Sequence, residues 1–135
     1  MKEKIILRGI KISQLELERA YDKIHAWFFA FPLSEFSLNE LSETLGISKT
    51  TASLVISQLV KNNFLHVSKL GKLWRIKANQ DHKWFKTRKI PFNLRIVNEC
   101  GIVGWIEENI QNAKAIILFG SYRNGDDIEK SDLDI

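Results

Sequence analysis

Four residues near the end of the chain have the types and spacing of a phosphate and metal site. Gly120 and Ser121 follow an apolar run, and Asp132 and Asp134 come after ten intervening residues. A glycine lets a phosphate approach the backbone, where a serine hydroxyl and nearby amides donate to its oxygens. Carboxylate oxygens together with substrate phosphates are the ligands that Mg²⁺ accepts. The bland alternative is a common Gly-Ser pair followed by the solvated end of a strand.

The predicted elements around these residues would hold them in place. The run "KAIILFG", residues 114–120, predicts a buried strand. If "DLDI" is a second strand, its period of two places both aspartates on one face. Before them, Pro91 is suited to the first position of a helix that continues to Ile110. Cys100 on this helix is predicted to be a small core residue.

Together, the strand, the Gly-Ser pair and the Asp-Leu-Asp-Ile ending resemble the nucleotidyltransferase fold of the DNA polymerase β superfamily, particularly its minimal prokaryotic members. The resemblance implies that Gly120 and Ser121 hold the triphosphate of an NTP, expected to be ATP. It implies that Asp132 and Asp134 are catalytic and ligate two Mg²⁺ ions. These ions would activate an acceptor hydroxyl and neutralise charge on the α-phosphoryl group. The acceptor, a protein or a small molecule, is not identified by the residues.

The chain departs from that family pattern in two places. Relatives often carry a basic residue just before the position of Gly125, where this chain has Asn124, with Arg123 one residue earlier. The family also needs a third carboxylate from a later strand, and nothing follows Ile135 in this sequence. We therefore expect a truncated form of a longer enzyme that is inactive by itself.

The charge of the chain is divided unevenly. Residues 1–95 hold 17 Lys and Arg against 8 Asp and Glu, a balance of +9. Residues 96–135 hold 3 against 8, a balance of −5, and the two parts give the net charge of +4. This asymmetry predicts two bodies, one that favours polyanions and one that gathers carboxylates.

The basic part has the element order of a DNA-binding fold. An amphipathic helix is predicted from residue 13 to Pro32, followed by two short helices that turn at Gly46. The segment "FLHVSKLGKLWRIKA" then predicts a hairpin pivoting on Gly71. Residues 13–78 resemble the winged helix-turn-helix domains of MarR-like regulators. The aromatic stretch "AWFFAF" within the first helix could serve a homodimer or the intramolecular core.

In helix-turn-helix docking the start of the second helix meets base edges, and the wing lies near phosphates. The predicted nucleic-acid contacts at these places are Lys49, Thr50, Thr51, Ser53, Lys72 and Arg75. The second helix has no Arg, which argues against strong sequence readout, because bidentate Arg to guanine is the commonest specific contact. The alternative is a dimerisation or substrate-docking module with an ordinary solvated basic face. The segment "QDHKWFKTRKIPFN" is either a further nucleic-acid contact or, as we favour, a linker.

The chain is thus predicted to be α+β. A winged helix-turn-helix domain spans residues 1–80, a basic linker residues 81–92, and the truncated start of an α/β nucleotidyltransferase domain residues 93–135. One cysteine excludes an intrachain disulfide and fits a cytoplasmic location. The longest apolar run is too short for a membrane span, so we expect a soluble protein without membrane contact.

The main functional hypothesis is a Mg²⁺-dependent nucleotidyltransferase with a winged helix for DNA binding or dimerisation. The first alternative is a DNA-binding transcriptional regulator in which the C-terminal motif is vestigial. The second is an antitoxin-like transferase that modifies a protein partner. The preferred nucleotide, the DNA sequence and the oligomeric state do not follow from the residues.

Overall fold

The chain divides into two compact units. The computed structural model describes residues 4–7 and 10–135, with side chains from residue 16 onward. Contacts within the chain separate residues 1–79, the N-terminal unit, from residues 80–135, the C-terminal unit. This division lies within one residue of the predicted end of the first domain. No helix among the described residues is both long enough and apolar enough to cross a membrane.

The N-terminal unit opens with a short antiparallel ribbon that the sequence did not predict. Strands β1 (Lys4–Leu7) and β2 (Ile10–Ser13) pair along their length. Helix α1 (Gln14–Ala30) follows directly. It ends just before Pro32, because a proline disfavours the helical conformation of the residue in front of it.

The helix-turn-helix is specified by local caps. Helix α2 (Leu38–Leu45) starts with a capping box in which the Glu40 amide donates to Ser37 Oγ at 3.1 Å and the Ser37 amide donates to the Glu40 carboxylate at 2.7 Å. Gly46 ends α2 with a φ of 63°, a conformation that glycine adopts without strain. Ser48 then caps helix α3 (Lys49–Lys61). The predicted capping box and turn are confirmed.

A hairpin completes this unit. Strands β3 (Leu65–Leu70) and β4 (Leu73–Ala78) pair antiparallel across a two-residue turn that begins at Gly71. Phe36 adds a short third segment by exchanging two backbone hydrogen bonds with Ile76, at 2.9 and 2.8 Å. Helix, helix-turn-helix and hairpin form a winged helix, so this prediction is confirmed, and we call the β3–β4 hairpin the wing.

The core of the N-terminal unit lies between α1, α3 and the root of the wing. The inward positions recur at three- and four-residue steps on the helices, as burial of one helical face requires. Phe28 from "AWFFAF" is fully buried, which places part of that stretch in the intramolecular core. The fully buried side chains of this core include Ile24, Phe28, Val55, Ile56, Leu59, Phe64, Leu65 and Ile76.

The C-terminal unit begins with a helix that starts earlier than predicted. Helix α4 runs from Phe85 to Glu99, and Pro91 lies inside it rather than at its first position. The buried residues Phe85, Lys89, Asn93 and Val97 recur every four residues through the proline. This buried stripe compensates for the backbone hydrogen bond that a proline cannot donate. The prediction of a linker up to residue 92 is therefore wrong in its second half.

The long predicted helix is broken at Gly101. Its φ of 89° is left-handed, and helix α5 (Ile102–Asn109) starts anew after it. Cys100 caps the end of α4 and is exposed, so its predicted core position is wrong. The apolar stripe through Leu94 is also wrong, since that side chain is exposed, because α4 buries the Lys89 and Asn93 face instead.

The predicted buried strand at residues 114–120 is not formed as such. The segment carries no strand ladder among the described residues, and Phe119 forms a single antiparallel bridge with Asp134. Ile117 is 68% exposed, because no neighbouring strand or helix of the described chain covers it. The "DLDI" segment is likewise reduced to this one bridge. A short helix, α6 (Gly120–Asn124), follows Phe119.

Candidate functional site

The first turn of α3 presents two of the predicted nucleic-acid contacts to solvent. Lys49 and Thr50 are exposed, and Ser53 is half-buried one turn later. Helix α3 carries no acidic residue along its 13 positions. Its first backbone N–H groups and the helix dipole also favour an anion at this end. The outward placement of Lys49 and Thr50 therefore agrees with the prediction, although no bound nucleic acid tests their role.

Thr51 does not share that exposed surface. It is buried, its amide donates to Ser48 Oγ at 3.1 Å, and its hydroxyl oxygen accepts from the Ser48 hydroxyl at 2.8 Å. The outward position predicted for Thr51 is wrong, because the N-cap of α3 turns this side chain toward the helix-turn-helix core. Thr51 supports the start of the helix and leaves the neighbouring residues to face a partner.

The cations of the wing differ in their surroundings. Lys72 lies exposed in the turn and forms no ion pair with any described residue. Lys69 Nζ lies 4.6 Å from the centroid of the Trp74 ring, a cation–π contact. Arg75 is 3.4 Å from the carboxylate of Glu35, with both side chains about half exposed. Of the two predicted wing contacts, Lys72 is open to an anion and Arg75 already has a partner.

The Gly-Ser and Asp-x-Asp motifs of the C-terminal unit meet at one point. The Phe119 amide donates to the Asp134 carbonyl at 3.0 Å, which brings Asp134 beside Gly120. A Cβ built on Gly120 would overlap Oδ2 of Asp134 and would stand 3.1 Å from its Cγ. Gly120 also has a φ of 77°, a conformation that favours glycine. Both space and backbone therefore require glycine at this position.

The other two predicted residues lie at the edges of this contact. Ser121 is the second residue of α6 and half-buried, whereas Asp132 is exposed. Within residues 4–7 and 10–135, no group of three or more His, Cys, Asp or Glu side chains is placed to hold a metal ion. Two carboxylates fit the way proteins bind Mg²⁺, which keeps waters and takes its remaining ligands from substrate phosphates.

A buried polar network in the C-terminal unit was missed by the sequence reasoning. Lys89 Nζ donates to the backbone carbonyl of Asp127 and lies 3.3 Å from its carboxylate. Asn93 Nδ2 donates to Asp127 Oδ1 at 2.7 Å and to the Tyr122 carbonyl at 2.9 Å. Helix α4 thus holds both α6 and the loop after it. Lys89 had been counted among the basic residues of the linker.

Burial in this network changes two acid–base equilibria. Desolvation lowers the pKa of Lys89, against the opposing attraction of Asp127, Glu129 and Asp126. Desolvation raises the pKa of Tyr122, and the nearby Asp127 raises it further. The signal that would have revealed Lys89 is its position in the four-residue repeat of buried residues on α4. A charged residue at a core position of a helix needs a partner.

The loop that connects the two motifs is also held locally. The Asp126 amide donates to the Ser121 carbonyl at 3.0 Å, and the Ile128 amide donates to Ser131 Oγ at 2.8 Å. A Cβ on Gly125 would stand only 2.9 Å from the Ile90 side chain of α4. Close packing against α4 and these two hydrogen bonds therefore determine where the chain arrives at Asp132.

Comparisons with known proteins give few likenesses. No protein-family model matches this chain, and no curated protein matches it. Among solved structures, the heme sensor protein PefR from Streptococcus agalactiae in complex with heme is similar at 14% identity and a TM-score of 0.47, over 73% of this chain and 80% of that one. Reduced HlyU from Vibrio cholerae is similar at 18% identity and a TM-score of 0.41, over 64% and 87%. Likenesses at this level carry no conclusion about function.

Proposed function

We propose that the N-terminal unit binds double-stranded DNA and that the protein acts as a DNA-binding regulator. The observation that carries this proposal is the exposed first turn of α3, with Lys49 and Thr50 facing outward on a helix that has no acidic residue. In helix-turn-helix proteins this turn enters the major groove. Its lysine would neutralise a phosphate, and its threonine can bond a phosphate or a base edge.

The wing would add a second contact with the backbone of the duplex. Lys72 is exposed and without an ion pair among the described residues, so it can approach a phosphate without first losing a partner. The N-terminal unit has 12 Lys and Arg against 7 Asp and Glu, a net charge of +5. Each phosphate neutralised releases counterions, which makes the affinity depend strongly on salt.

The composition of α3 predicts modest sequence selectivity. The helix has no arginine, and its exposed first-turn side chains are short apart from Lys49. Arginine bound to guanine through two hydrogen bonds is the commonest source of base discrimination. We therefore expect backbone contacts and DNA shape to supply most of the binding free energy.

The experiment measures duplex affinity by fluorescence anisotropy over a series of salt concentrations. A duplex would first be recovered by selection from a random pool. Lys49→Ala should reduce the slope of log K against log salt by about 0.9, the value for one phosphate contact. Lys61→Ala is the matched control, because Lys61 is an exposed lysine at the opposite end of the same helix. Failure to recover any duplex, or equal slopes for the wild type and Lys49→Ala, would contradict the proposal.

A second candidate function, nucleotidyl transfer, belongs to the C-terminal unit. The contact between Gly120 and the Asp134 carboxylate favours it, because it joins a backbone open to phosphate with a carboxylate that can bind a metal. Gly120 and Ser121 would hold the triphosphate, and Asp132 and Asp134 would hold Mg²⁺. The ion would supply Lewis-acid chemistry for attack of an acceptor hydroxyl on the α-phosphoryl group.

Nucleotide binding tests this candidate separately from DNA binding. The protein would be titrated with ATP and Mg²⁺ by calorimetry and incubated with α-labelled NTPs. Asp132→Asn combined with Asp134→Asn should abolish Mg²⁺-dependent nucleotide binding. Asp81→Asn removes an exposed carboxylate outside the motifs and serves as the control. A wild type that binds no nucleotide would remove this candidate and leave the DNA proposal intact.

A further inference from the structure

The tip of the wing exposes two leucines. Leu70 is 65% exposed and Leu73 51% exposed, although both belong to strands of a folded unit. They are directly opposite each other in the last pair of the ladder. Opposite residues of an antiparallel pair have their side chains on the same face. The two leucines therefore form one apolar point on either side of the turn at Gly71 and Lys72.

This point lies on the face of the wing that does not build the core. Side chains alternate between the two faces of a strand. Leu65, Ile76 and Ala78 are buried on one face, whereas Leu70 and Leu73 fall on the other, together with exposed Ser68 and Arg75. The core is closed without the two leucines. Their apolar character needs an explanation outside the unit.

The charges around the two leucines favour a polyanion as the occupant. Lys69 and Lys72 flank the apolar point, and both lie exposed. Two leucines are too small to anchor a membrane, since even a single myristoyl chain gives only marginal binding. They are also too small for a stable contact with a second copy, which needs about 1,000 Å² of buried surface. DNA combines phosphates for the lysines with an apolar interior between its stacked bases.

The wing is long enough to reach a neighbouring groove. Its six-residue strands extend about 20 Å at about 3.3 Å per residue. The root is buried at Leu65 and Ala78, so the exposed tip projects from the unit. Proteins that bind the minor groove insert leucine and similar side chains between base pairs, which unstacks the bases and kinks the duplex.

We propose that Leu70 and Leu73 form an apolar wedge that enters the minor groove and unstacks a base step, with Lys69 and Lys72 on the flanking phosphates. This inference rests on the proposed DNA binding and adds that the protein bends its target. A flexible pyrimidine–purine step is the expected point of entry, because such steps are the easiest to unstack.

The test uses the full chain and the selected duplex, with 2-aminopurine placed at each pyrimidine–purine step in turn. Wild type should increase 2-aminopurine emission at one step and shorten the end-to-end distance measured by energy transfer. The double variant Leu70→Ser with Leu73→Ser should lose both effects and about tenfold in affinity. Leu33→Ser, which replaces another exposed leucine of the same unit, should retain them.

Other results would overturn the inference. Equal emission and equal bending for the wild type and the double serine variant would mean that the tip inserts nothing. Loss of binding to phosphatidylserine vesicles, or loss of self-association, in the serine variant with unchanged DNA bending would assign the leucines to a lipid or to a second copy. Absence of DNA binding by wild type would overturn this inference and the proposed function together, whereas binding without unstacking would overturn only this inference.

Discussion

Lys89 and Asp127 form an ion pair from which water is nearly excluded, with Nζ and Oδ2 3.3 Å apart and side chains only 1% and 9% exposed. One turn earlier on α4, Lys86 and Asp126 form a pair at 2.7 Å whose side chains are 51% and 57% exposed. The two pairs have the same chemistry and connect the same helix to the same loop. They differ in hydration, which determines how much each contributes to stability.

The first prediction follows from this difference. Lys89→Met leaves the Asp127 carboxylate buried without its cation, and we expect it to lower the free energy of unfolding by about 3 kcal/mol. Lys86→Met removes a solvated pair and should cost less than about 1 kcal/mol. Urea unfolding, together with hydrogen exchange of peptides from residues 85–99, would measure both. Equal losses for the two variants would show that Lys89 is not desolvated in solution.

The second prediction concerns pH. Burial lowers the pKa of Lys89 below its ordinary value of 10.5, so in the window just below that value the unfolded chain binds more protons than the folded one. The free energy of unfolding should therefore rise with pH in this window. Tyr122 acts oppositely, because its raised pKa makes the unfolded chain lose its proton first above pH 10.0.

The Lys89 contribution is isolated by comparing wild type with Lys89→Met. The difference between their free energies of unfolding should grow less favourable to the methionine variant as pH rises toward 10.5. Tyr122→Phe should remove the loss of stability at higher pH. A difference between wild type and Lys89→Met that stays constant from neutral to alkaline pH would contradict the assigned direction of the Lys89 pKa.

The third prediction compares two glycines. Gly120→Ala places a Cβ against the Asp134 carboxylate at a positive φ, and should cost about 1–2 kcal/mol besides displacing Asp134. Gly104→Ala lies inside α5 with nothing within 4 Å of the new Cβ, and should stabilise the protein by about 0.5–1 kcal/mol. Thermal unfolding measures both, and opposite signs are expected. Stabilisation by both alanines would contradict the close contact at Gly120.

The fourth prediction concerns the wing. Glu35 holds Arg75 at 3.4 Å and places a negative charge where a phosphate would approach. Glu35→Gln should therefore tighten DNA binding and steepen its salt dependence by up to about 0.9, because Arg75 becomes free to contact a phosphate. Arg75→Ala should then weaken binding more in the Glu35→Gln background than in wild type. Additive effects of the two substitutions would show that the pair does not limit Arg75.

The winged helix could be predicted because its signals are local. Ser37, Glu40, Gly46 and Ser48 each act within a few residues, and the alternation in the wing shows directly in the sequence. Burial of Thr51 was not predicted, because an N-cap hydroxyl three residues earlier, rather than helical periodicity, determines its orientation.

The C-terminal unit was harder to predict because its determinants are distant in sequence. Lys89 lies 38 residues from Asp127, and neither residue by itself shows that the pair is buried. Pro91 was a misleading start signal, since tertiary packing of α4 overrides the local cost of a proline. The meeting of Gly120 with Asp134 was expected from the resemblance, whereas the strand ladder predicted around it is not formed among the described residues.

Cys100 ends α4 with its side chain in solvent, and it is the one thiol in all 135 residues. A maleimide dye would therefore label a single known position without any engineered cysteine. The label would sit at the junction between α4 and the left-handed Gly101, within the same unit as the Gly120–Asp134 contact. Nucleotide titrations of the C-terminal unit and DNA titrations of the N-terminal unit could then be followed by one dye on the native sequence.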